Sequence, residues 1–132
     1  MQSTDIYGQA FKNGTATLLA RVVGQAGTAI GPDDIASVQY TVYLLDDQDA
    51  DARTPVTGHS DVALVVAEAI FGSLQTGGVW DVDSVGYNFR HTLNVAAHQA
   101  FGTAGRRCLV EYRLTPADGG QVIVVRFRMN VI

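Results

Sequence analysis

Residues 108–132 read CLVEYRLTPADGGQVIVVRFRMNVI, and their alternation decides the fold class. Cys108, Val110, Tyr112 and Leu114 fall on one side of an extended chain, while Leu109, Glu111 and Arg113 fall on the other. That period of two is what a half-buried strand requires. Beyond the turn, Ile123, Val125, Phe127, Met129 and Val131 form the apolar set, opposed by Arg126, Arg128 and Asn130. TPADGGQ between them holds Asp-Gly and Gly-Gly, either of which supplies the positive φ of a two-residue hairpin turn. Folding back at this turn sets apolar face beside apolar face. It also puts Glu111 across from Arg126 or Arg128, a cross-strand pair worth roughly 0.2–1 kcal/mol.

The same period recurs upstream. In ATLLARVV (16–23), Ala16, Leu18, Ala20 and Val22 share a face, and Leu19 and Val23 join Thr17 and Arg21 opposite. ASVQYTVYLL (36–45) buries Val38, Tyr40, Val42 and Leu44 and leaves Tyr43 and Leu45 on the far side. YNFRHTLNV (87–95) alternates Tyr87, Phe89, His91, Leu93 and Val95 against Asn88, Arg90, Thr92 and Asn94. DVALVVAEAIFGSLQTGG (61–78) carries both periods, which predicts a strand to about Val66 and then a helical turn or two ended by Gly77 and Gly78. VAAHQAF (95–101) predicts a second short helical turn. Residues 1–14 read as an extended N-terminal arm and 15–132 as the domain. Several short strands with turn clusters between them predict an all-β chain, a single antiparallel β-sandwich with one or two short helical turns.

The stretch WDVDSVGYNFRH resembles the tyrosine corner of immunoglobulin-like sandwiches, in which a Tyr hydroxyl bonds back to upstream backbone. On that resemblance Asp83, Gly86 and Tyr87 are the corner, and Phe89 stands where the second disulfide cysteine would be. Gly86 abuts the tyrosine and two strong strands follow it, where the family pattern has a spacer and one strand. The resemblance implies a fold used for adhesion, spacing and assembly.

At 132 residues the chain is one domain's worth. The single cysteine, Cys108, rules out an internal disulfide and a Cys-rich zinc module. A net charge of -4 argues against nucleic acid as partner, since phosphate backbones need a basic face. The opening MQSTDIYGQAFKNG has neither a basic n-region nor an apolar run, so no secretory leader or membrane anchor is expected.

Candidate chemistry is sparse. Asp46, Asp47, Asp49 and Asp51 begin like a calcium loop, but Ala52 stands where the sharp turn wants Gly, and Gly58 where a bidentate Glu is needed. His59, Ser60 and Asp61 are triad residue types side by side, which is not triad geometry, and no nucleophile elbow is present. His91 and His98 lack a third ligand for zinc. Cys108 alternates with core residues and reads as a buried thiol. Glu68 and Glu111 are the only glutamates, and neither faces an Asp as a glycosidase pair would. No catalytic residue, cofactor or metal site is therefore expected.

What remains is surface. Leu19, Val23, Tyr43 and Leu45 are apolar residues on outer faces, and Arg113, Arg126 and Arg128 form a row suited to a partner's acidic groups. The expectation is a non-enzymatic structural or interaction protein in a homo- or hetero-oligomer, with no nucleic acid or membrane contact. Its expected setting is a bacteriophage virion, as a capsid decoration, neck or tail accessory protein made in the host cytoplasm. The rival expectation is a carbohydrate- or receptor-binding module, calcium-assisted, using Trp80 and the 46–61 loop.

Overall fold

The computed structural model describes residues 2–10, 12–14, 17–20, 22, 30–45, 52–75, 87–93, 99–102 and 104–132. These form strands β1 (Gln2–Ala10), β2 (Thr17–Ala20), β3 (Ile35–Leu45), β4 (Arg53–Pro55), β5 (Val62–Leu64), β6 (Ile70–Gln75), β7 (Tyr87–Thr92), β8 (Arg107–Pro116) and β9 (Ile123–Val131). One helical turn, α1 (Val66–Ala69), and a 3-10 turn at Pro32–Asp34 complete them. The all-β class read from the alternation is the class observed.

One sheet runs β1-β9-β8-β3-β4 with β5 also paired to β3, and a second runs β2-β7-β6. The larger sheet is mixed, because β1 lies parallel to β9, which corrects the all-antiparallel expectation. Inward residues of both sheets share one core, from Leu18 and Ala20 on β2 and Phe89 on β7 to Tyr40, Tyr112 and Phe127 on the larger sheet. Phe89 meets Tyr112 edge-on with centroids 4.7 Å apart, so the two sheets touch directly through aromatic rings.

The β8–β9 hairpin pairs apolar with apolar, Val110 with Phe127 and Tyr112 with Val125, and Glu111 with Arg126. Its turn is longer than two residues, because Leu114 pairs with Ile123 and the Asp118 side chain shapes the loop between. The Gly120 N–H donates to Asp118 Oδ1 at 2.9 Å, and Gly119 takes the positive φ of 79°.

Three local readings change. The helical spacing after Val66 yields only the one turn of α1, and Ile70–Gln75 is strand β6. Pairing with β7 and burial of Ile70 at 2% exposure outweigh the weak helical pattern, which Gly72 further weakens. Residues 2–10 of the arm are held by the chain's own β9 along nine registered positions. Asn88, assigned to the polar face of its strand, is 0% exposed. Its side chain does the work of a neighbouring strand: Oδ1 accepts from the Val22 N–H at 2.7 Å, and Nδ2 donates to the carbonyls of Val22 at 2.8 Å and Ile30 at 2.9 Å. Asp83 and Gly86 of the proposed corner lie outside the described residues, as do residues 95–98 of the second predicted turn; Ala100 and Phe101 at its end are buried and form a bend, not a helical turn.

Asn88→Ala removes both the acceptor and the donor from a dry site, so the variant loses at least about 2 kcal/mol in chemical denaturation. Gln39→Ala, at an exposed strand position, stays within about 0.5 kcal/mol of the parent.

Candidate functional site

β8 lies in the middle of the larger sheet, and its alternation sends Glu111 and Tyr112 to opposite faces. Each is the centre of a buried polar cluster, one facing out and one facing in.

On the outer face Glu111 is 3% exposed and is approached by three arginines. Arg113 Nε donates to Oε1 and Arg126 Nε to Oε2, both at 3.1 Å, and Arg53 Nη1 stands 3.7 Å from Oε2. Burial alone would raise the carboxyl pKa; the hydrogen bonds and charges of Arg126 and Arg113 outweigh it and hold the group below the usual carboxylate range. Arg53 also lies over the Tyr43 ring, 4.3 Å from its centroid. Leu45, Leu109 and Val124 are buried at 7%, 2% and 3% yet lie outside the main core cluster, on this same outer side. A hollow of about 270 Å³ at the end of the sheet is lined by Leu45, Arg107, Arg128, Met129 and Asn130. The Arg106 Nη2 group ties this end down by donating to the Leu45 carbonyl at 2.9 Å.

On the inner face Tyr40 and Tyr112 are register partners on β3 and β8, with centroids 5.8 Å apart. Tyr112 OH shares a 2.7 Å hydrogen bond with His91 Nδ1, from β7 of the other sheet. Tyr40 OH shares a 2.8 Å bond with His59 Nδ1. His59 reaches the core because the edge strand breaks: between Tyr43↔Pro55 and Tyr40↔Val62 the outer chain loops out and back. Val42 closes that loop, its N–H donating to the His59 carbonyl at 2.7 Å and its carbonyl accepting from the Val56 N–H at 2.8 Å. Gly58 at φ 84° and Asp61 at φ 50° make the two sharp turns, and the Asp61 N–H donates to Thr41 Oγ1 at 2.9 Å. Burial pushes the hydroxyls of Tyr40 and Tyr112 up, Tyr112 well above the ordinary value, with Tyr40 adding to the shift.

His91 also lines an open cleft of about 350 Å³ with Leu64, Val65, Glu68, Ala69, Arg90 and Thr92. Burial, and then the charge of nearby His59, lower its pKa from 6.5 to about 4, so the ring is neutral at pH 7.

The residues singled out from sequence do not form one surface. Tyr43, Leu45, Arg113, Arg126 and Arg128 all belong to the larger sheet, whereas Leu19 sits on β2 in the other, opposite Arg90. Val23, the acidic residues 46–51, Trp80 and His98 lie outside the described residues. His59, Ser60 and Asp61 diverge: His59 turns into the core, Ser60 is exposed, and Asp61 bonds to Thr41. Cys108 is 1% exposed and its thiol pKa is pushed up by burial, against the opposing charge of Arg106. Among the described residues no three His, Cys, Asp or Glu side chains gather as a metal site, and no helix is long and apolar enough to cross a membrane. Sequence reading missed Arg53, whose signal was its place one strand out from Leu45, and His59, whose burial has no period to reveal it. No match to this chain is found among protein families, curated proteins or solved structures.

The His91 shift fixes a pH dependence. Its folded pKa lies below its unfolded value, so the unfolded chain takes the proton first and stability falls as pH drops from 6.5 to about 4. At about 1.4 kcal/mol per pKa unit, discounted for the ring's partial exposure, the loss is on the order of 1–2 kcal/mol. Denaturation curves across this range show it, and His91→Gln flattens it. The Glu111 contribution lies lower, present above the ordinary carboxylate pKa of 4.5 and lost as pH falls through the depressed one.

Proposed function

We propose that this chain is a non-catalytic assembly subunit that binds a carboxylate-bearing protein surface through the outer face of its larger sheet. The observation that carries this reading is the convergence of Arg53, Arg113 and Arg126 on the one carboxylate of Glu111. The Arg53 and Arg113 side chains are 39% and 57% exposed, so positive guanidinium charge reaches the surface of a chain whose net charge is -4. A field of that sign steers acidic partners and fixes their register. Tyr43 and the hollow lined by Leu45, Arg107 and Arg128 supply the apolar and aromatic ground that an interface centre needs.

An immunoglobulin-like sandwich is the architecture we propose. In that fold strands C, F and G are neighbours in one sheet, and B, E and D in the other. The orders β3-β8-β9 and β2-β7-β6 support this assignment. It moves the resemblance by one strand, with β8 in the place of strand F and β7 in that of E. The setting we propose is a bacteriophage virion, as a capsid decoration, neck or tail accessory protein, because this fold serves spacing and assembly and the arginine face suits a subunit contact. The cleft beside His91 favours a second reading, a carbohydrate- or receptor-binding module.

Purified particles of the encoding virus contain the chain at fixed stoichiometry in mass spectrometry, and Arg53→Gln with Arg113→Gln weakens its attachment at least about tenfold. Both side chains are substantially exposed, 39% and 57%, and Arg126 still holds Glu111, so the melting temperature changes little. A chain always recovered free of particles, or saturable glycan binding by its monomer that His91→Gln abolishes, contradicts the assembly reading.

A further inference from the structure

Tyr112 fixes the place of a proton on the other sheet. Its hydroxyl is sealed in the core at 0% exposure, and its one hydrogen-bond partner among the described residues is His91 Nδ1 at 2.7 Å. A phenol proton with no acceptor in a dry core is costly, so the hydroxyl donates and Nδ1 accepts. The ring is neutral at pH 7, which leaves its proton on Nε2. That nitrogen has no hydrogen-bond partner among the described residues and is not shut off from solvent, so it opens on the cleft of about 350 Å³ that His91 lines. The cleft therefore carries an N–H donor whose tautomer is held from behind by a buried bond.

The other walls offer little that is not already engaged. Thr92 Oγ1 is taken by Thr17 Oγ1 at 2.8 Å, and the Arg90 guanidinium lies over the Phe71 ring, 5.7 Å from its centroid. Glu68 is exposed, and among the described residues its carboxylate meets no cation. Leu64, Val65 and Ala69 are aliphatic, and Val65 at 60% is the most exposed large apolar side chain among the described residues.

We propose that this cleft binds an amide group on an aliphatic stem, supplied by a peptide segment of a partner protein: its carbonyl accepts from His91 Nε2–H and its N–H donates to the Glu68 carboxylate. A neutral group with one acceptor and one donor complements walls that offer one donor and one acceptor, and the stem covers Leu64 and Val65. An anion would face Glu68, and a simple cation would leave the Nε2–H without an acceptor. A sugar would bring several hydroxyls to walls that engage two. Ligand sites run from roughly 300 to 1,000 Å³, so this volume suits a residue or two and not a folded surface. The residues come from 64–69 and β7, none of them on the arginine face, so the site holds or fails independently of that reading.

Heteronuclear NMR of the full chain tests both steps. Long-range couplings in the His91 ring place the proton on Nε2. Titration with N-acetyl-leucine methylamide moves His91 Nε2 and the Val65 methyls together and saturates with a Kd on the order of 1 mM, as expected for so small a ligand. Glu68→Ala, at an exposed position, weakens that binding about fivefold, the worth of one hydrogen bond, and Val65→Asp weakens it at least as much. A proton found on Nδ1 overturns the proposal, as does a titration with no saturable shift or an affinity that Glu68→Ala leaves unchanged. So does tighter saturation of the cleft by acetate or by methyl glucoside than by the capped leucine.

Discussion

Two tyrosine hydroxyls in a dry core set the terms for the rest of the molecule. Tyr40 and Tyr112 are 5% and 0% exposed, and each hydroxyl left without a partner would cost about 1–3 kcal/mol. Neither can be satisfied from its own strand. His91 answers Tyr112 from the opposite sheet, and a 2.7 Å bond of this kind fixes how β7 lies over β8 far more narrowly than apolar contact does. His59 answers Tyr40 from the edge of the same sheet, and only a broken strand can deliver it. The loop between β4 and β5 is the backbone consequence of a side-chain requirement.

The outer face repeats the logic with charge in place of hydroxyls. A carboxylate at 3% exposure is untenable alone, and Arg126 on the facing strand and Arg113 two residues along each donate one hydrogen bond to it. Two arginines would nearly suffice for Glu111. The third, Arg53, arrives from across the sheet at 3.7 Å and stacks on Tyr43. At that distance it adds charge and a contact with the Tyr43 ring, not a third hydrogen bond to the carboxylate.

Alternation carried most of the architecture. The apolar sets of β3, β8 and β9 face the core as their period demands, with Leu44 and Ile123 half-buried at its margin, and the turn between β8 and β9 lies where Asp118 and Gly119 are. Period reports which side a residue faces and not what covers that side. Asn88 and Glu111 both sit on the polar side of their strands and are both buried, one by the chain near Val22 and Ile30, the other on the arginine face. Leu45 was read as an open contact residue and is 7% exposed for the same reason. In β6 the failure was of another kind: Leu64, Ala67, Phe71 and Leu74 do recur at helical spacing, but an unsatisfied β7 edge decides the conformation. His59 is a third kind, since a loop residue's burial depends on a break in the edge strand that no local pattern announces.

β8 shows how close these demands lie. Glu111 and Tyr112 are adjacent, so one peptide unit separates a carboxylate collar of arginines from an aromatic hydroxyl network. Both clusters are bonded to β8 from neighbouring elements, to Glu111 from β9 and β4 and to Tyr112 from β7, so a shift of β8 by one residue would bring the carboxylate into the core and the phenol onto the arginine face. Each misplacement would cost several kcal/mol by leaving a buried polar group unpaired. The same slip would carry Val110 and Leu114 out of the core, so polar and apolar groups together lock register in the centre of this sheet. The arginines that meet Glu111 on so firm a strand are held at fixed spacing.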